Sequence, residues 1–175
     1  MATSDIADME TFLTGLAGKD RSNIEKHLAA CDAEGDPDHG KLWRRLAVSL
    51  RKLAPMPVQT VGQHAVQFFI ADGKYRMQVF ALEDARDGRL MVYLPDVLAA
   101  AEKAGTPMGV LKPESLDAAN TPNPSPHIKH MLGWNRKAVR LAIPIHASNA
   151  HVTAAENLCA LAAGRWAKEK SEKSK

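Results

Sequence analysis

The stretch AVQFFIADGKYRMQVFAL, residues 65–82, decides the fold. Val66, Phe68 and Ile70 alternate with other residues before Asp72-Gly73, and Tyr75, Met77, Val79 and Ala81 alternate after it. A period of two puts each set on one face of a strand. An Asp-Gly pair between two such runs is a strong signal for a two-residue hairpin turn, because glycine tolerates the positive φ the turn needs. The reading is therefore an antiparallel hairpin over 65–82, with Val66, Phe68 and Ile70 sharing a face.

Toward the C-terminus, Arg89 to Leu94 reads as a third strand of a meander. Glu83, Asp84 and Asp87 lie between the strands, where solvated turn carboxylates are expected. Pro95-Asp96 opens a helix through Val97, Leu98 and Ala101 that Gly105 closes, and residues 108–112 suit a short edge strand. Ala138 to Ile145 alternates again and reads as a late strand, after which Ser148 caps a helix carrying Val152, Ala155, Cys159, Ala162 and Trp166 at helical spacing.

Toward the N-terminus the period changes at Pro55 and Pro57. Ser4 precedes an apolar stripe of Ile6, Met9, Leu13 and Leu16 that Gly18 stops. Ser22 and Glu25 form a capping-box pattern before Ile24, Leu28 and Cys31, and the Gly35 to Asp38 stretch breaks that helix. A third helix from His39 to Leu53 turns Leu42, Trp43, Leu46, Leu50 and Leu53 inward. The expected class is α+β: an antiparallel sheet of about four strands, a meander plus a late strand, packed with helices. Its divisions are an N-terminal helical segment at 1–54, a core at 55–167 and a charged tail at 168–175.

The 175 residues are 45% hydrophobic and 25% charged, enough apolar material for a real core and ordinary for a globular chain. Met1 to Glu10 carries Asp5, Asp8 and Glu10 with no base, the reverse of a secretory start, and no apolar run is long enough to span a membrane. A cytoplasmic protein with Cys31 and Cys159 as reduced, buried thiols is expected. Residues 1–38 hold nine acids and three bases, whereas 39–71 hold five bases and no acid. The acidic start is thus expected to pack near the cationic third helix. The bases of that helix are spread around it without a set of stacking aromatics, so nucleic acid is an unfavoured partner.

The densest group of chemically capable residues is NTPNPSPHIKHMLGW, residues 120–134. Alternate prolines stiffen the loop, since each fixes its own φ and restricts the residue before it. Asn123, His127, Lys129, His130, Trp134, Arg136 and Arg140 form the candidate ligand-binding set. No acid lies between Asp117 and Glu156, which favours an anionic ligand and leaves His127 and His130 without local partners for a metal. His27 and Cys31 stand one helical turn apart with Asp36, Asp38 and His39 close behind, a metal-compatible set. Because Cys31 shares an apolar stripe with Ile24 and Leu28, it reads as a core thiol beside a boundary histidine, and no metal is assigned.

No phosphate loop, dinucleotide fingerprint or nucleophile elbow is present, so no catalytic residue and no cofactor is assigned. The functional expectation is a noncatalytic module that binds a protein partner or a second copy of itself. The alternative is a small-molecule site at 120–140 that binds an anion, with His127 or His130 exchanging protons.

Overall fold

A computed structural model describes residues 3–35, 37–85, 87–108, 111–135 and 137–173, and these fold as α+β. Three helices come first: α1 (Thr3–Leu13), α2 (Gly18–Ala33) and α3 (Pro37–Leu53). Four strands follow, β1 (Met56–Val61), β2 (Ala65–Asp72), β3 (Tyr75–Asp84) and β4 (Arg89–Pro95), then α4 (Leu98–Lys103). The chain continues through β5 (Glu114–Asp117), α5 (Pro126–Asn135), β6 (Lys137–Pro144) and α6 (Asn149–Lys173). All strand pairs are antiparallel, in the order β1-β2-β3-β4-β6-β5.

The sheet has six strands instead of about four. The additions are both edges, β1, which contains Pro57 and follows Pro55, and the four-residue β5; of the edge strand expected at 108–112, residues 109 and 110 lie outside the described residues. The hairpin forms as expected, β2 on β3, with Asp72 paired to Tyr75, so the turn residues are Gly73 and Lys74 and Gly73 takes the positive φ of 59°. Val66 and Phe68 face the main core and Ile70 packs against it. The register shifts after Phe68 because Val79 is an extra residue in β3, and Val79 and Phe80 both turn into that core.

One face of the sheet is covered by the helices that flank it in sequence. Phe12 of α1 stands edge-on to Trp43 of α3 at 5.9 Å and lies 6.3 Å from Phe68 of β2, so a single apolar cluster runs from the first helix into the sheet. The acidic start packs against α3 as its charges demand. Lys52 lies 3.8 Å from Asp8, Arg44 pairs with Asp32 at 2.9 Å, and Arg51 donates to the Phe12 and Thr14 carbonyls. On the second face α5 seals a smaller cluster of Met91, Tyr93, Ile128, Met131 and Leu132.

Some boundaries move. α1 ends at Leu13 because Gly15, not Gly18, takes the left-handed turn at φ 74°. α2 then begins at Gly18, four residues before the Ser22 capping pattern. The carboxylate of Asp20 accepts the backbone N–H and the hydroxyl of Thr60 in β1, tying the helix start to an edge strand. α6 runs through the expected tail as far as Lys173. Among the described residues no helix is long and apolar enough to cross a membrane.

Candidate metal centre

The α2–α3 hairpin and the end of β3 meet at four side chains. On α2, Ile24, Leu28 and Cys31 form the buried stripe, and His27 sits one turn before Cys31. The chain reverses at Gly35, with φ 74°, and Pro37 starts α3 at the position where its fixed φ fits and its missing N–H is not needed. His39 therefore lies in the first turn of α3 and faces back toward α2. Gly40 keeps this approach open. A Cβ there would stand 2.6 Å from Arg44 Nη1 and 3.0 Å from Asp32 Oδ1, in the path of the fork that laces α3 to α2.

The fourth group is Asp84, the last residue of β3. Its side chain is buried, and its backbone N–H donates to the His64 carbonyl at 2.7 Å. The turn reading of the carboxylates at 83 and 84 is thus corrected: β3 continues through both, and its alternation sends them to opposite faces of the sheet.

The ligand-capable atoms of His27, Cys31, His39 and Asp84 all lie within 4.8 Å of one another. His39 Nε2 is 2.7 Å from Asp84 Oδ2, His27 Nε2 is 3.7 Å from that oxygen, and His27 Nε2 is 3.6 Å from Cys31 Sγ. Tetrahedral zinc with bonds of about 2.0–2.3 Å spaces its ligand atoms about 3.3–3.7 Å apart, so these separations bracket the required ones. Although His39 Nε2 and the Asp84 oxygen are close, the nitrogen has no aligned hydrogen-bond partner. His127 Nε2 beside Glu83 is in the same condition, so the misalignment is compatible with a shared ion and is not peculiar to this cluster. On the other side of the His39 ring, Nδ1 lies 3.8 Å from Glu34 Oε2, a charge contact beyond hydrogen-bond reach.

Burial keeps both helix-borne donors uncharged. Burial lowers the His27 pKa, with His39 and His64 adding to the effect against Asp84, so the ring is held neutral with a lone pair to give. Burial, then the carboxylates of Asp84, Glu34 and Asp32, pushes the Cys31 thiol up to about 11. A metal cation reverses that preference by stabilising the thiolate directly.

The 120–140 set is arranged differently. His127 is buried at the start of α5, its Nε2 3.3 Å from Glu83 Oε2, and the Tyr93 hydroxyl donates to the same oxygen at 2.6 Å. The His127 imidazole, with the Tyr93 hydroxyl, holds the Glu83 carboxyl below its ordinary value against the opposing effect of burial. Lys129 and Asn123 are exposed, and Arg140 pairs with Glu114 of β5. The acids missing from this stretch arrive from β3 and β5. The side chains of His130 and Trp134, and all of Arg136, lie outside the described residues.

Fold and site together define an α+β domain with a buried two-histidine, one-cysteine, one-aspartate cluster at the junction of its N-terminal helices and its sheet. No known family, no curated protein and no solved structure matches the chain. Three of the four cluster residues fall within the segment 27–39, so their spacing carried a local signal. Asp84 carried none, because its proximity arises from the meander.

Proposed function

We propose that this chain is a zinc-binding domain of structural, noncatalytic character, in which His27, Cys31, His39 and Asp84 hold one ion and fasten the N-terminal helices to the sheet. The observation that carries this reading is the convergence of four ligand atoms of the right types within 4.8 Å. One sulfur, two imidazole nitrogens and one carboxylate oxygen suit a borderline-soft, tetrahedral ion, whereas calcium and magnesium require mostly oxygen. Four protein ligands complete a tetrahedron and leave no position for a substrate. The cavity beside His27, between His64 and Trp43, is about 10 Å³, the space of a single water. This closure supports a structural role over a hydrolytic one.

Metal content and cobalt substitution test the proposal. Protein purified without chelator is expected to carry about one zinc per chain, and cobalt loading should give the thiolate charge-transfer and visible bands of a tetrahedral site. Cys31→Ser should remove the charge-transfer band. Protein that takes up neither zinc nor cobalt, before or after refolding with metal, overturns the reading.

A further inference from the structure

The proline loop and the β1–β3 end of the sheet meet at a groove that the metal centre does not involve. α5 covers the second face over β3, β4 and β6, but toward β1 the face opens into a cavity of about 540 Å³, within the range of small-molecule sites. Pro126, the last proline of the loop, walls one side. The stiff segment therefore ends at the groove.

The floor is polar where a sheet face is ordinarily apolar. Gln67 and Gln78 are 5% and 2% exposed, and Gln67 Nε2 donates to Gln78 Oε1 at 2.8 Å. Gln78 Nε2 donates in turn to the His127 carbonyl, fixing the orientation of the pair against α5. Burying carboxamides costs about 1–3 kcal/mol each unless they are partnered, so apolar residues would build this face more simply if cover were all it needed. Both flanking ladders are also irregular. β1 shifts register between Met56 and Gln59, and the extra Val79 brings Gln78 opposite Phe69. Bulges of this kind re-aim side chains and concentrate beside binding sites.

Charge then selects the ligand. Among the described residues Arg76 is the one charged residue in the lining, and no acid lines the groove. Its guanidinium lies 4.2 Å above the Phe69 ring centre and donates one hydrogen bond to Gln59 Oε1 at 2.5 Å. Stacking and that single bond hold the fork in place while most of its five N–H donors are left over, and among the described residues no carboxylate pairs with it. A prepositioned guanidinium beside carboxamides, over an aromatic ring and a proline, matches a flat molecule with a carboxylate at one end.

We propose that this groove is a binding site for a small planar carboxylate, with Arg76, held on the Phe69 ring, contacting the carboxylate and Pro126 flanking its apolar body. The site lies on the face opposite the N-terminal helices and does not depend on the zinc reading.

Titration of the full chain with benzoate, followed by backbone amide NMR, tests the proposal. Benzoate should shift the amides of Gln59, Phe69, Arg76 and Gln78 saturably, and benzamide, the neutral counterpart, should bind about tenfold or more weakly because it lacks the charge-assisted contact. Arg76→Met, which keeps the stem over Phe69, should weaken benzoate by a similar factor and leave the remaining spectrum unchanged. Four outcomes overturn it: no saturable benzoate shifts, equal binding of benzamide, an unaffected Arg76→Met variant, or binding confined to inorganic phosphate or an acidic peptide. Arg76 is exposed, so failure of the variant to fold does not confuse the result.

Discussion

Stripping the metal should separate the N-terminal helices from the sheet before the sheet itself melts. The four ligands come from α2, α3 and β3, so one ion joins the helical hairpin to the strand that lies at the centre of the hydrogen-bonded order. Free zinc at 100 to 1,000 times its dissociation constant stabilises the folded form by about 2.7–4.1 kcal/mol. For a domain of this size each kcal/mol moves the midpoint by about 2–4 °C, which gives a difference of roughly 5–16 °C between zinc-loaded and chelated protein. Circular dichroism melts with excess EDTA and with zinc restored measure that difference. Hydrogen exchange locates it: without metal, amides of α2 and of the first turn of α3 should lose protection while those of β4 and β6, paired over seven positions, keep theirs. Identical melting curves with and without metal, or protection lost first in β4 and β6, would refute the clamp.

Further outcomes follow from individual contacts. Asp84→Asn leaves the three ligands of the helical hairpin together, so cobalt should still bind, more weakly, while the zinc-dependent rise in melting midpoint shrinks; calorimetry with cobalt and zinc checks both parts. Phe12→Ala removes the ring that bridges Trp43 and Phe68 and should cost about 3–5 kcal/mol in urea unfolding. His127→Ala is expected to cost about 1–3 kcal/mol, since the ring is buried against Tyr93 and Glu83, and a variant as stable as the parent would contradict that placement. Burial pushes the Glu156 carboxyl up, but hydrogen bonds from Arg45 and Ser49 more than reverse this, leaving its pKa below the ordinary value. A depressed folded-state pKa contributes stability above the unfolded value and loses it as pH falls through the folded one, so parent and Glu156→Gln should differ at neutrality and converge in acid.

What could be read in the sequence was what local periodicity and turn chemistry control. Val66, Phe68 and Ile70 declared a strand by alternation, and Trp43, Leu46 and Leu50 a helix by a stripe; all six are buried in the main core except Ile70, which packs against it half-buried. β1 and β5 were missed for a physical reason. They are short edges, with Pro57 inside one just after Pro55, and mostly exposed polar residues in the other, so neither carries a clean two-sided pattern. Gly15 takes the left-handed turn in place of Gly18 at a point where Pro57 stands 3.6 Å from where a Cβ would be, a neighbour that only tertiary structure supplies. The candidate set at 120–140 shows where local reading stops: a charge count along the chain says nothing about Glu83 and Glu114, which tertiary structure delivers to His127 and Arg140.

The metal cluster divides along the same line, and the division bears on how such a site works. His27, Cys31 and His39 lie on one helical hairpin, whose closure costs little chain entropy, so these three can assemble as soon as α2 and α3 form. Asp84 can join only after β2, β3 and the meander are in place, because its position is fixed by its backbone bond to His64 and by the register of β3. A loop from residue 27 to residue 84 is expensive to close, and a bond that closes it stabilises chiefly by what it denies the unfolded chain. On the zinc reading, the local ligands would account for capture of the ion, and the distant carboxylate would convert that capture into attachment of the helices to the sheet. A cysteine on an apolar stripe serves both parts, since its burial beside Ile24 and Leu28 packs the hairpin while its sulfur faces the other three groups. The core-thiol reading and the ligand reading of Cys31 are therefore compatible uses of a single side chain.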